Sequence, residues 1–162
     1  MNNTSLISIP LHVVEFCAAE CARQHSGEQS VARMCEAWYD VYATSQYQVV
    51  CISLDDVEEW AKMLEPEKNA NGLRTTPVSF EDLSIALDPD VVPQALESLL
   101  WAIQKDSLTA SEVYQEFEDI HPLNDGNGRL GSLLYNLKRG TLMTPITPPE
   151  FKKKGYNHGY QI

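Results

Sequence analysis

The sequence is poor in basic residues and in long apolar runs, and each shortage excludes a class of protein. It has 12 Lys and Arg against 23 Asp and Glu, which gives a net charge of −11. Because nucleic acids and anionic membranes attract basic surfaces, we expect neither as a partner. No apolar stretch approaches the roughly 20 residues of a membrane-spanning helix, and the N-terminus lacks a basic segment followed by an apolar one. We therefore expect a soluble, cytoplasmic protein.

Cysteine is also scarce, and its spacing does not indicate a metal site. The four cysteines are Cys17, Cys21, Cys35 and Cys51, and no two of them form a Cys-x-x-Cys pair. A structural zinc site usually needs such a pair and a second cluster of ligands. We interpret the four side chains as buried free thiols.

Apolar residues recur every three or four positions along most of the chain, which is typical of helices. The pattern predicts helices over residues 10–24, 28–46, 90–104, 110–120 and about 127–139, and one more that Ser53 caps. Residues 65–72 are predicted to be a loop, 73–80 a short extended pair at best, and 141–162 an extended tail. With 162 residues, the chain is expected to form a single all-α domain over residues 1–162.

Nine consecutive residues carry the chemical signal: His121-Pro122-Leu123-Asn124-Asp125-Gly126-Asn127-Gly128-Arg129. The two glycines allow a sharp turn that brings backbone N–H groups close to an anion. The following helix presents further N–H groups at its N-terminus. Residues 121–162 carry a charge of +4, against −15 for residues 1–120, and the two add up to −11. The segment therefore favours a phosphate site.

Four side chains of this segment each have a functional interpretation and a structural one. His121 is either a general base for a hydroxyl group or a histidine of the core. Asp125 is either a ligand for Mg²⁺ or a residue that caps the turn. Asn127 either contacts phosphate or satisfies backbone groups, and Arg129 either binds phosphate or pairs with a surface acid.

The segment resembles the motif of the Fic (Fic/Doc, or Fido) family, His-Pro-Phe-x-Asp/Glu-Gly-Asn-Gly-Arg-x-x-Arg. The likeness covers residues 72–140 approximately: residues 113–120 resemble the helix before the motif, and residues 72–78 resemble the family's flap. It implies a Fic-like helical bundle with a small β-hairpin flap. It also implies transfer of AMP from ATP, with Mg²⁺, to a Ser, Thr or Tyr hydroxyl of a target protein.

The resemblance also implies roles for individual residues. His121 would be the base, Asp125 the metal ligand, and Gly126, Asn127, Gly128 and Arg129 the phosphate-binding residues. Thr76 would belong to the flap. Tyr135 and Asn136, one to two turns into the last helix, are candidates for contact with the nucleoside, with core packing the alternative for Tyr135.

Three departures from the family pattern bear on activity. Leu123 stands in place of Phe, and Ser132 stands in place of the last Arg, which is associated with the far end of the triphosphate. The family's inhibitory pattern, Ser/Thr-x-x-x-Glu-Gly/Asn, is absent. We expect poor discrimination between ATP and ADP, and a gain in ATP affinity for Ser132→Arg.

Other readings of the chain remain open. The Doc class transfers a phosphate, but it carries Lys where this chain has Gly128, which disfavours that reaction here. A rival hypothesis is a catalytically weak or silent Fic-like protein that binds a partner. Another is a regulator that docks a cognate toxin or host factor through residues 1–60.

Overall fold

The structure is a computed structural model, and it describes residues 9–46, 51–80 and 83–151. These ranges contain six α-helices and no strand, which confirms the predicted all-α, Fic-like fold. The helices are α1 (Leu11–Arg23), α2 (Glu28–Ser45), α3 (Leu54–Leu64), α4 (Val92–Gln104), α5 (Ala110–Ile120) and α6 (Asn127–Arg139).

Local signals explain where α3 and α5 begin. At the start of α3, the Ser53 hydroxyl accepts from the Asp56 N–H at 3.2 Å, and the Asp56 carboxylate accepts from the Ser53 N–H at 2.7 Å. Thr109 and Glu112 form the same reciprocal pair at the start of α5. Each pair satisfies backbone donors that a helix otherwise leaves unpaired at its N-terminus.

Helix α6 lies at the centre of the bundle. It packs most extensively on α5 and also contacts α2 and α3, while α1 lies against α2, and α4 against α3 and α5. Of the ten α6 positions from Asn127 to Asn136, nine are buried, and Gly128 is the exception. Leu123, in the loop before α6, is fully buried, which anchors that loop in the core.

The β-hairpin flap implied by the family resemblance is not seen. Within residues 73–80 and 83–87, only an isolated antiparallel bridge joins Ser79 to Ile85. Two backbone hydrogen bonds flank this bridge, from Ala86 N–H to the Val78 carbonyl and from Phe80 N–H to the Ser84 carbonyl. Next to them, the Arg74 guanidinium donates to the carbonyl groups of Thr76 and Leu87. Pro77 has no N–H to contribute to a ladder. The flap segment is therefore a loop that a buried side chain holds together.

The remaining expectations concern the thiols and the C-terminal segment. Cys17 and Cys21 are buried as predicted, but Cys51 is exposed, so its predicted burial is wrong.

Residues 141–151 contain no helix or strand and are held against the core, because Trp38 Nε1 donates to the Leu142 carbonyl at 2.7 Å. Residues 152–162 of the predicted tail lie outside the described residues. None of the described helices is long and apolar enough to cross a membrane.

Candidate functional site

His121 is the C-cap residue of α5, directly after Ile120, and has a left-handed backbone conformation, with φ 50° and ψ 60°. Its N–H donates to the Phe117 carbonyl at 3.0 Å, so the backbone closes the helix here. The imidazole is partly buried and meets the Phe80 ring edge-on, with 4.8 Å between ring centroids. A non-glycine residue seldom adopts this conformation, and it directs the chain from α5 into the loop.

The backbone of His121 is held from outside its own helix by Arg74. Arg74 Nε donates to the His121 carbonyl at 2.6 Å, and Nη2 donates to the Ile120 carbonyl at 3.3 Å. Together with the bonds to Thr76 and Leu87, one buried guanidinium therefore joins the end of α5 to the flap segment. Burial lowers the pKa of Arg74, and the charge of Asp88 opposes that shift.

Asn127 and Asn69 fix the loop between His121 and α6. The Asn127 amide accepts from the Leu123 N–H and donates to the Leu123 carbonyl, both at 2.9 Å. Asn69, which is fully buried, donates to the Asp125 carbonyl at 2.9 Å and accepts from the Asn124 N–H at 3.2 Å. The side chain of Asn127 thus serves the loop, and the loop is set before any ligand arrives.

The N-terminus of α6 is left open. Gly126, with φ 86°, precedes the first turn, and no side chain of the described residues caps it. The N–H groups of Asn127, Gly128 and Arg129 are those that a helix leaves unpaired at this end. The Gln24 amide lies against Gly128, because a Cβ there would be 2.6 Å from Gln24 Oε1. The end of the Gln24 side chain, just after α1, therefore lies close to this turn, and the three N–H groups suit an anion.

Asp125 flanks this helix end and is surrounded by donors. Oδ2 pairs with the Lys68 ammonium, and Oδ1 accepts from the Gly126 N–H at 2.7 Å and from Arg129 Nη2 at 3.4 Å. Burial by itself would raise the pKa of Asp125, but the hydrogen bonds from Lys68 and Gly126 outweigh it and hold the pKa below its usual value. The side chain is 36% exposed, so the carboxylate is charged and reachable.

Arg129 points away from solvent. Its side chain is 1% exposed, and Nη2 donates to Glu65 Oε1 at 2.8 Å, just after the end of α3. Its Nε and Nη1 are buried without a hydrogen-bond partner among the described residues. Arg129 therefore places a positive charge beneath the loop instead of beside a ligand.

The model of one protein family, described as the Fic/DOC family, matches residues 51–137, which is more than half of the chain. The chain belongs to the Fic/DOC family. No curated protein matches the chain. The matched region contains α3 to most of α6, together with the loop and the flap segment.

The structure brings together some of the Fic residues proposed from sequence and separates others. His121, Asp125 and Gly126 lie in the connection between α5 and α6, and Asn127, Gly128 and Arg129 form the first turn of α6. Tyr135 is buried and packs edge-on against Tyr114, and the fully buried Asn136 amide donates to the Ser132 and Ile146 carbonyls. Neither side chain is presented to a nucleoside. Thr76 is exposed in the flap segment, and its carbonyl is bound to Arg74.

Sequence reasoning missed the residues outside the motif that hold this Fic loop in place. Lys68, Asn69 and Glu65 belong to a polar segment that the sequence indicated only as a loop. Asn69 is fully buried there, and the contact of Lys68 with Asp125 spans 57 positions. The signal that the sequence offered was the presence of an acid, a base and an amide, Glu65, Lys68 and Asn69, shortly before Gly72, whose φ is 84°.

The carboxylates of the loop are too few for a resident divalent ion. Among the residues that the structure describes, no group of three or more His, Cys, Asp or Glu side chains could hold a metal. Mg²⁺ that arrives with a nucleotide needs only one or two carboxylates besides the phosphates and water. The single reachable carboxylate of Asp125 fits that case and does not fit a resident metal.

Proposed function

We propose that this protein is a nucleotidyltransferase that transfers AMP from ATP to a Ser, Thr or Tyr hydroxyl of a target protein. The observation that carries the proposal is the uncapped N-terminus of α6, which directly follows the loop that contains His121 and Asp125. Three unpaired N–H groups at a helix N-terminus suit the phosphates of a nucleotide. A cytoplasmic location, where ATP is abundant, belongs to the same proposal.

In the proposed reaction, the target hydroxyl oxygen attacks the α-phosphorus of ATP. A bond forms between that oxygen and phosphorus, the bond from phosphorus to the β-phosphate oxygen breaks, and pyrophosphate leaves. His121 accepts the hydroxyl proton, as an imidazole can near neutral pH. Asp125 would hold the Mg²⁺ that comes with the nucleotide, and this ion would neutralise charge on the phosphates. The uncapped N–H groups at the start of α6 favour the negative charge that develops.

A catalytically silent interaction protein is the second candidate function, and one observation favours it. Arg129 is turned to Glu65, and Ser132 is fully buried, so neither position offers a cation to a bound nucleotide. A site that binds nucleotide weakly through backbone groups alone would turn over slowly. The target-binding surface would then carry the biological role.

The experiment that tests the proposal is incubation of a cell lysate with ATP labelled on the adenosine and α-phosphate, with and without the protein. Mass spectrometry should identify proteins that gain one AMP on a hydroxyl side chain. His121→Asn tolerates the left-handed backbone but lacks the base, and its rate should fall about 10²–10⁴-fold. His25→Asn is the matched control, since His25 is also left-handed, with φ 56°.

The outcomes separate the two candidate functions. Modification by wild-type protein and by His25→Asn, but not by His121→Asn, supports the transferase. Equal modification by His121→Asn would reduce His121 to a structural role. ATP binding without any modification of the lysate would favour the interaction protein.

A further inference from the structure

Lys68 is a cation at the proposed nucleotide site that the motif does not contain. Its ammonium group pairs with Asp125 Oδ2, while its side chain is 59% exposed. The Lys68 carbonyl accepts from Asn124 Nδ2 at 2.9 Å, so the backbone of Lys68 is joined to the loop. A fixed backbone and an exposed side chain allow the ammonium to change partners without any movement of the fold.

The other cations near the loop are committed to contacts within the protein. Arg129 is buried on Glu65, and the guanidinium of Arg74 is buried among four carbonyl groups. Lys138, at the end of α6, pairs with Asp106. Arg33 lies 3.9 Å from Glu65. Among the described residues, Lys68 is the exposed cation in direct contact with the site.

The loop itself attracts a negative charge independently of Lys68. Two nitrogens of the buried Arg129 guanidinium have no hydrogen-bond partner among the described residues. The Nη2 atom lies 3.4 Å from the position of a Cβ on Gly126, so this charge lies directly beneath the turn. Nη2 itself is paired with Glu65, so the groups that the turn offers to an anion are the uncapped N–H groups at the start of α6.

We propose that Lys68 binds the distal phosphates of the nucleotide and leaves Asp125 when it does so. This inference rests on the proposed function, because it takes a nucleoside polyphosphate as the ligand. In the free protein, the ammonium neutralises Asp125, and the carboxylate is held in place. On binding, the ammonium donates to β- or γ-phosphate oxygens, and the Asp125 carboxylate becomes available to the Mg²⁺ that the nucleotide carries. Lys68 thus supplies the cation that Ser132 cannot.

The test compares wild type, Lys68→Met and Lys62→Met by calorimetry with AMP, ADP and ATP. Lys62 is an exposed lysine of α3, and its replacement changes the net charge by the same amount. Lys68→Met should weaken ATP and ADP binding about 10- to 150-fold, the value of one charge-assisted hydrogen bond, and AMP binding much less. Lys62→Met should stay within about twofold of wild type, as expected for a distant exposed charge.

A second comparison distinguishes direct phosphate contact from an effect through Asp125. With EDTA present and Asp125→Asn as the background, Lys68→Met should still weaken ATP binding, because the phosphate contact does not need the carboxylate. Loss of the effect in that background would overturn the inference. ATP binding by Lys68→Met at wild-type strength would overturn it too, with the proposed function intact. Absence of ATP binding by wild type would overturn both.

Discussion

Arg129 Nη2 and Glu65 Oε1 form a buried ion pair at 2.8 Å, which joins the start of α6 to the end of α3. The pair spans 64 positions of sequence and lies directly below the turn at Gly126. The arginine of the motif therefore has a structural partner within the fold. Its charge acts on the loop from beneath, and its removal should affect the fold before it affects any ligand.

Arg129→Met should strongly destabilise the protein, because it leaves the largely buried Glu65 carboxylate with only the weaker contact to Arg33 at 3.9 Å. Breaking a buried pair by removal of one partner typically costs about 3–5 kcal/mol. Urea denaturation followed by circular dichroism measures this difference. Arg139→Met, at an exposed position of the same helix, is the control and should stay within about 0.5 kcal/mol of wild type. A loss below about 1 kcal/mol for Arg129→Met would contradict the buried-pair interpretation.

Two glycines of α6 should differ in how strongly replacement by alanine affects stability. A Cβ at Gly131 would lie 2.7 Å from Glu118 Oε1 and 3.1 Å from the Tyr114 ring, both of which are buried. At Gly128, the obstacle is the end of the flexible Gln24 side chain. Gly131→Ala should therefore cost about 1–3 kcal/mol of stability. Gly128→Ala should be close to neutral, since alanine gains up to about 1 kcal/mol in a helix.

The same denaturation experiment checks both glycine variants, and Gln24→Ala supplies the control. In that background the obstacle at Gly128 is absent, so Gly128→Ala should become stabilising. Equal destabilisation by Gly128→Ala and Gly131→Ala would mean that the packing of α1 and α5 against α6 differs from the structure.

Glu118 makes the stability of the fold depend on pH. Burial raises the pKa of its carboxyl group from 4.5 to about 7, and the charge of Arg23 only partly opposes the shift, while Asp119 and Glu20 add to it. The native state therefore binds the proton more tightly than the unfolded state. The stability that this provides is full below about pH 4.5 and is lost as the pH rises towards 7.

The size of the pH effect follows from the shift of the pKa. A rise of the pKa from 4.5 to about 7 corresponds to a loss of about 3 kcal/mol of unfolding free energy between pH 4 and pH 8. Glu118→Gln, which stays neutral, should match wild type at low pH and exceed it at pH 8. Unfolding free energies measured at several pH values test this. A pH profile that Glu118→Gln leaves unchanged would assign the dependence to other carboxyl groups.

The sequence predicted the six helices closely because their signals are local. Ser53 and Thr109 begin α3 and α5 with capping boxes, and the apolar rhythm of three and four positions gives the helix lengths. Pro122 stops α5 where predicted. The family motif identified the loop from His121 to Arg129, because its glycine and asparagine positions are unusual together.

Contacts between distant positions could not be predicted in this way. The partner of Arg129 is Glu65, and the partner of Asp125 is Lys68, and neither pair follows from spacing or periodicity. The flap has one isolated bridge in place of two strands, and beside it the buried Arg74 binds the carbonyl groups of Thr76 and Leu87. A polar residue that is buried by the fold looks, in the sequence, like any exposed one.

Ser132 is fully buried, and this reverses the expectation for Ser132→Arg. The hydroxyl oxygen of Ser132 has no hydrogen-bond partner within the described part of the chain. An arginine at this position would place its charge in the core, where the cost of an unpaired cation exceeds any gain from a phosphate. We now expect Ser132→Arg to lose more than about 3 kcal/mol of stability and to leave the ratio of ADP to ATP dissociation constants unchanged. Ser132→Ala removes an unsatisfied polar group and should be neutral or stabilising by about 1 kcal/mol. Urea denaturation and calorimetry on the same protein samples test both variants. If Ser132→Arg instead folds with wild-type stability and binds ATP more tightly, the arginine must reach the phosphates, and the helix packing around residue 132 would have to open to let it do so.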